Sequence, residues 1–130
     1  PTVTIPPPIA GGLVLSYKCQ ARRRHCIYAC SPDWKADWIT EKALEKGLAQ
    51  LRGTIQPSMW GSQSVGLNGG PHFTGGEPFL NFKLLRRAVE MAEAFGIPST
   101  FVETNSAWCV DDDSTRDKLE QLRGPVSKGS

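Results

Sequence analysis

The sequence predicts an α/β fold in which three parallel strands alternate with three helices. Short apolar runs at residues 13–17, 72–74 and 99–102 alternate with longer segments of helical periodicity. Strands and helices in this alternation form parallel sheets with right-handed crossovers. The 130 residues fit one domain, since 39% hydrophobic and 22% charged residues are typical of a single globular core.

The first two helices have clear start and stop signals. Thr40 is a fair N-cap for the first helix, which Gly53 ends. Asn81 caps the second helix, and Gly96 with Pro98 ends it. Their predicted buried faces consist of apolar residues at helical spacing: Leu44, Leu48, Leu51, Leu84, Leu85, Ala88, Val89, Met91, Ala92 and Phe95.

The third helix is predicted over residues 114–122. Ser114 is its expected cap, Asp117 occupies the capping-box position, and Gly124 ends the helix. The three carboxylates before it, residues 111–113, are expected to complement the helix dipole.

Composition divides the chain into three parts. Residues 1–11 form a proline-rich extended leader, residues 12–123 form the domain, and residues 124–130 form a polar tail. The net charge of +2 is too small to indicate nucleic acid, and the basic run at residues 22–24 is interpreted as a solvated loop. Neither a membrane span nor a signal peptide is expected.

Three of the four cysteines lie within twelve residues of one another, at Cys19, Cys26 and Cys30. This spacing favours metal or cluster chemistry in a reducing compartment over a disulfide framework, so a cytoplasmic location is expected.

Polar or cysteine-bearing segments follow each of the predicted strands. Cys19 follows the first strand, the Gly75–Gly76–Glu77–Pro78 turn follows the second, and residues 103–105 follow the third. Because the carboxyl ends of parallel strands meet at one edge of a sheet, we expect these segments to converge there.

Two of the segments resemble motifs of the radical S-adenosylmethionine (radical SAM) enzymes. The stretch from Cys19 to Cys26 is similar to the family's C-x3-C-x2-C cluster motif, with Arg23 at the middle position. Residues 75–78 match its Gly-Gly-Glu-Pro motif. The resemblance implies a partial (β/α) barrel of about three strand–helix units, with the remaining barrel absent from residues 1–130.

The resemblance also implies cofactors and a reaction. Cys19 and Cys26 would be ligands of a [4Fe-4S] cluster, and S-adenosylmethionine would be cleaved reductively to a 5′-deoxyadenosyl radical. An active enzyme would need an electron donor and a substrate, which the sequence does not identify. The implied cofactor-binding residues are Gly75, Gly76, Glu77, Pro78, Thr104 and Asn105.

Arg23 departs from the family pattern, because a guanidinium group cannot ligate iron. Cys30 is favoured over Cys109 as the replacement ligand, and water, His25 or a distant side chain are other candidates. A motif shifted to Cys26, Cys30 and Asp33 is less favoured because it abandons the strand-end cysteine. Cys109 is interpreted as a buried small apolar residue.

Two other functions remain open from the sequence. The chain could be a cluster-free scaffold or partner-binding fragment, which Arg23 favours. It could also be a small zinc module on Cys19, Cys26, Cys30 and His25, although only the Cys26–Cys30 pair has the close spacing of structural zinc ligands. Exposed strand edges on a partial barrel would favour self-association or a missing C-terminal half.

Overall fold

A three-stranded parallel sheet forms the centre of the computed structural model, which describes residues 1–6, 10–55 and 70–123. The strands are β1 (Ala10–Val14), β2 (Gly70–Thr74) and β3 (Phe101–Val102), with β2 in the middle. Both pairings are parallel, with Val14 opposite Thr74 and Phe73 opposite Val102. The predicted α/β class and strand direction are confirmed.

The helices alternate with the strands as predicted. They are α1 (Glu41–Leu51), α2 (Phe82–Ala94) and α3 (Asp112–Leu122), and a 3₁₀ turn (Pro78–Asn81) precedes α2. The core is formed by apolar side chains of α1, α2, β2 and the adjoining loops: Leu15, Leu44, Leu48, Ile55, Phe73, Leu84, Leu85, Ala88, Met91, Ala92 and Ile97. The predicted helix caps at Thr40 and Asn81 are confirmed, since their side chains accept hydrogen bonds from Ala43 N–H and Leu84 N–H.

β1 begins three residues before its predicted start, inside the segment assigned to the leader, and ends at Val14. The prediction was wrong because Gly11 and Gly12 were taken as a boundary, whereas both pair with β2. Because these glycines have no side chains, neighbouring side chains pack against their backbone. A Cβ atom on Gly12 would clash with the His72 ring, 2.7 Å from Nε2.

The N-cap of α3 is Asp111, so the prediction of Ser114 was wrong. The Asp111 carboxylate accepts from the Ser114 backbone N–H at 2.8 Å and from its hydroxyl at 2.9 Å. The hydrogen bond from the Ser114 backbone N–H is the main reason that the pKa of Asp111 lies below its usual range. Asp117 instead accepts from Gln121 within the helix, at 2.8 Å.

Parts of the predicted leader, loop and tail fall outside the described residues, at 7–9, 56–69 and 124–130. In the part of the chain that is described, no helix has the length and apolar character needed to cross a bilayer.

Candidate functional site

A cavity of about 170 Å³ lies at the carboxyl edge of the sheet. It collects residues from the three segments that follow the strands, as the sequence predicted. The lining consists of Cys19, Ala21, Arg23, Cys26, Tyr28, Cys30, Thr74, Gly75, Gly76, Glu103, Thr104 and Asn105.

The Gly75–Gly76 turn forms one wall of this cavity. Gly75 has φ 86° and Gly76 has φ 56°, a region that side chains disfavour. A Cβ atom on Gly76 would overlap the Lys18 carbonyl oxygen, and one on Gly75 would overlap Val14. The glycines therefore let β2 turn directly against the chain that leaves β1.

Glu77 is buried next to the glycine turn, with only 1% of its surface exposed, and its hydrogen bonds stabilise the turn. One carboxylate oxygen accepts from the Thr104 hydroxyl at 2.7 Å and from Phe79 N–H at 3.1 Å. The other accepts from Asn105 N–H at 2.8 Å. Its own N–H donates to the Lys18 carbonyl at 3.0 Å. Glu77 thus joins the chain segments that follow all three strands, and its carboxylate is fully engaged by the protein.

Thr104 and Asn105 are engaged in the same network. The Thr104 hydroxyl also accepts from Trp108 Nε1 at 2.9 Å. The Asn105 side chain accepts from Gln20 Nε2 at 2.9 Å and donates to Cys19 Sγ at 3.6 Å. Asn105 therefore links the segment after β3 to the first cysteine.

Cys19 follows β1 and lines the cavity. It is buried, with 7% of its surface exposed. Its sulfur accepts from Ala21 N–H at 3.4 Å as well as from Asn105. Amide donors of this kind are typical partners of sulfur atoms that ligate metal clusters.

The pKa values of Cys26 and Cys30 are shifted in opposite directions. The backbone N–H groups of Cys30 and Tyr28 hold the pKa of Cys26 below the usual thiol range. Burial raises the pKa of Cys30, even though Gly76 N–H donates to its sulfur at 2.9 Å. The Cys30–Gly76 hydrogen bond ties the cysteine loop to the glycine turn.

The backbone between these two cysteines is strained. Ala29 has φ 53°, a left-handed conformation that costs a side-chain-bearing residue about 1–2 kcal/mol. The Trp34 indole donates to the Ala29 carbonyl at 2.8 Å, which helps to hold this turn. Strained residues concentrate at functional sites.

The remaining candidate ligands lie elsewhere or have other partners. Asp33, the third position of the shifted motif, forms an exposed ion pair with Arg22. Cys109 is exposed, so the prediction of a buried apolar residue was wrong: it follows Trp108 in the surface loop between β3 and α3. His25 is exposed and is not part of the cavity lining.

Sequence reasoning did not assign Glu103 or the exposed Arg23 to the binding site, yet both line the cavity. Glu103 belongs to the segment 103–105 that the sequence placed at this edge, but only Thr104 and Asn105 of that segment were predicted to bind a cofactor. Arg23 was interpreted as a lost ligand within a solvated basic run, and its place in the cavity lining depends on loop geometry that spacing does not encode.

Three cysteines line one cavity, and their thiols are chemically suitable ligands for an iron–sulfur cluster. Among residues 1–6, 10–55 and 70–123, however, no three His, Cys, Asp or Glu side chains are grouped so as to hold a metal ion. The zinc alternative therefore has no assembled site in that part of the chain.

No protein-family model matches this chain, and no curated protein is significantly similar to it. The family resemblance consequently depends on the two motifs and on the cavity that they share.

Proposed function

We propose that this chain is part of a radical SAM domain and that its edge cavity binds S-adenosylmethionine together with an iron–sulfur cluster. One observation carries the proposal: the cysteine loop and the two glycines of the Gly-Gly-Glu-Pro turn line the same cavity, whereas Glu77 and Pro78 lie outside its lining. The two motifs lie about fifty residues apart in sequence, and the Cys30–Gly76 hydrogen bond joins them directly.

Cys19, Cys26 and Cys30 are the residues that would hold the cluster, with Cys30 taking the ligand role that Arg23 cannot fill. Each thiolate of a cubane binds a different iron, so its ligands are spaced more widely than those of a single ion. Such spacing is compatible with three thiols around a cavity that is not arranged for one metal ion. When bound, the cluster would supply the electron for reductive cleavage of S-adenosylmethionine.

The protein's own residues would position the second cofactor. Gly75 and Gly76 would contact it through the backbone atoms that line the cavity, while the space of their missing side chains is taken up by Val14 and Lys18. Glu77 fixes this wall by its bonds to Thr104 and Asn105. Burial at this edge excludes water from Thr74, which is 3% exposed, and from Cys19.

A cluster-free scaffold that binds S-adenosylmethionine is the second candidate. Arg23 favours it, since a cationic group lines the cavity where the family has a thiolate. Under this alternative the glycine turn would still bind the cofactor, but Cys19, Cys26 and Cys30 would remain free thiols.

Iron and sulfide content after anaerobic reconstitution tests the cluster assignment. The parent chain should bind iron and sulfide, Cys30→Ala should lose most of both, and Cys109→Ala, a cysteine outside the cavity, should retain them. Arg23→Cys should raise cluster content sharply. If neither the parent nor Arg23→Cys bound iron and sulfide, the cluster assignment would be wrong, and zinc bound instead would support the zinc module.

A further inference from the structure

The cavity contains one guanidinium group and one carboxylate that the proposed ligand set does not use. Arg23 is exposed, lines the cavity and has no ion-pair partner among the described residues. Its neighbour Arg22 is, by contrast, paired with Asp33. Arg23 therefore presents an uncompensated positive charge to whatever enters the cavity.

Glu103 supplies the opposite charge from the segment after β3. Its Oε2 accepts from the Thr74 hydroxyl at 2.6 Å, which anchors the side chain at the cavity. Its Oε1 lies 3.8 Å from His72 Nε2, and the side chain remains 51% exposed. One face of an anchored carboxylate is thus open to a ligand.

A cation and an anion lining one small cavity are complementary to a zwitterion. An α-amino-acid group carries a carboxylate and an ammonium on one carbon, and an arginine fork matches a carboxylate with two parallel hydrogen bonds. The nucleotide phosphates that basic sites often bind would be repelled by Glu103 and by any thiolate among the cysteines. An uncharged ligand would leave Arg23 without a counter-ion among the described residues.

We propose that the cavity recognises an α-amino-acid group, with Arg23 binding its carboxylate and Glu103 its ammonium. The inference rests on the proposed cofactor site, because S-adenosylmethionine ends in such a group. It adds that Arg23 itself binds the ligand, besides replacing a cysteine that would bind the cluster. Recognition of the amino-acid end would then not require iron.

Calorimetric titration of the cluster-free, reduced chain with two nucleosides tests this assignment. S-adenosylhomocysteine carries the amino-acid group, and 5′-methylthioadenosine has the same thioadenosine part without it. Charge-assisted pairing should make S-adenosylhomocysteine bind at least about tenfold more tightly. Arg23→Gln should weaken its binding by about tenfold and leave 5′-methylthioadenosine unaffected.

Arg24→Gln is the matched control, since Arg24 lies in the same exposed run but does not line the cavity. It should leave both affinities unchanged. Arg23→Lys, which keeps the charge but loses the fork, should fall between the parent and Arg23→Gln, and Glu103→Gln should weaken only S-adenosylhomocysteine. Circular dichroism verifies that each variant is folded.

The outcomes separate this inference from the proposed function. Equal affinity for the two nucleosides, or an equal loss for both in Arg23→Gln, would overturn the amino-acid assignment while leaving a nucleoside site. Binding of neither nucleoside to the cluster-free chain would overturn this assignment, whereas the proposed function would fail only if the cluster-loaded chain also did not bind S-adenosylmethionine. Iron uptake without an effect of Arg23→Gln on either nucleoside would support the cluster and refute the role of Arg23.

Discussion

The two motifs that share the cavity differ in how the protein holds them. Glu77 of the glycine turn is 1% exposed and joins the segments that follow all three strands. The cysteine loop is exposed at its tip, where Ile27 is 88% exposed. Its ends are held by a parallel bridge between Lys18 and Ser31.

This difference indicates which half of the site is formed before a ligand arrives. The turn is fixed by buried hydrogen bonds and by close packing, so its shape does not depend on a bound group. The loop carries the thiols on a segment with an exposed tip, and it is linked to the sheet edge near its two ends, by the Cys30–Gly76 bond and by the bonds of Asn105 to Gln20 and Cys19. We expect substitutions in the turn to affect folding, and substitutions in the loop to affect ligand binding.

The largest expected effect is that of Glu77→Ala. It leaves the Thr104 hydroxyl and the N–H groups of Phe79 and Asn105 without their acceptor, which should lower the free energy of unfolding by about 3 kcal/mol. Urea denaturation followed by circular dichroism measures this change. Glu45→Ala, an exposed carboxylate on α1, is the control and should leave the midpoint nearly unchanged. Equal midpoints for the two variants would show that Glu77 does not brace the turn.

Gly76→Ala tests the close packing of the turn, and Gly53→Ala provides a matched control. Both glycines have positive φ, but no atom lies within 4 Å of a Cβ built on Gly53, whereas one on Gly76 meets the Lys18 carbonyl. The backbone strain is shared, so Gly76→Ala should cost about 1–2 kcal/mol more than Gly53→Ala in the same urea assay. A cost no larger than that of Gly53→Ala would contradict the packing described for the turn.

Thiol reactivity tests the loop. The thiolate is the reactive form, so the lowered pKa of Cys26 and the raised pKa of Cys30 predict faster alkylation of Cys26 at neutral pH. Mass spectrometry of the cluster-free chain treated with iodoacetamide should show Cys26 modified several times faster. Its rate should also level off at a lower pH than that of Cys30. Faster modification of Cys30 would contradict the arrangement of the pair.

The smallest effect is expected for Asp33→Asn. Arg22 holds the pKa of Asp33 below its usual range by a hydrogen bond, but both side chains are 66% exposed. Any stability from this pair is present at neutral pH and is lost as the pH falls below about 4. The urea midpoint at pH 7 should therefore not change measurably. A loss comparable to that of Gly76→Ala would mean that the loop is held as firmly as the turn.

The elements that the sequence predicted well are those with strong local signals. The caps at Thr40 and Asn81, the apolar faces of α1 and α2, and the alternation of strands and helices are encoded within a few residues. β1 was misplaced because Gly11 and Gly12 have the composition of a turn, and only their pairing with β2 places them in a strand.

The parts of the site that escaped prediction depend on distant contacts. The convergence of three segments at one sheet edge follows from parallel topology and was expected. The bonds from Glu77 to Thr104 and Asn105 span more than 25 residues, and no spacing rule reveals them. The orientation of Arg23 toward the cavity likewise depends on the fold of the cysteine loop.

Low-temperature EPR of the reconstituted, reduced chain, with and without S-adenosylmethionine, tests most directly whether the loop and the turn form one cofactor site. We expect a [4Fe-4S] signal that changes when S-adenosylmethionine is added, because both cofactors would share the cavity. No iron–sulfur signal, or a signal that S-adenosylmethionine leaves unchanged, would contradict the shared site.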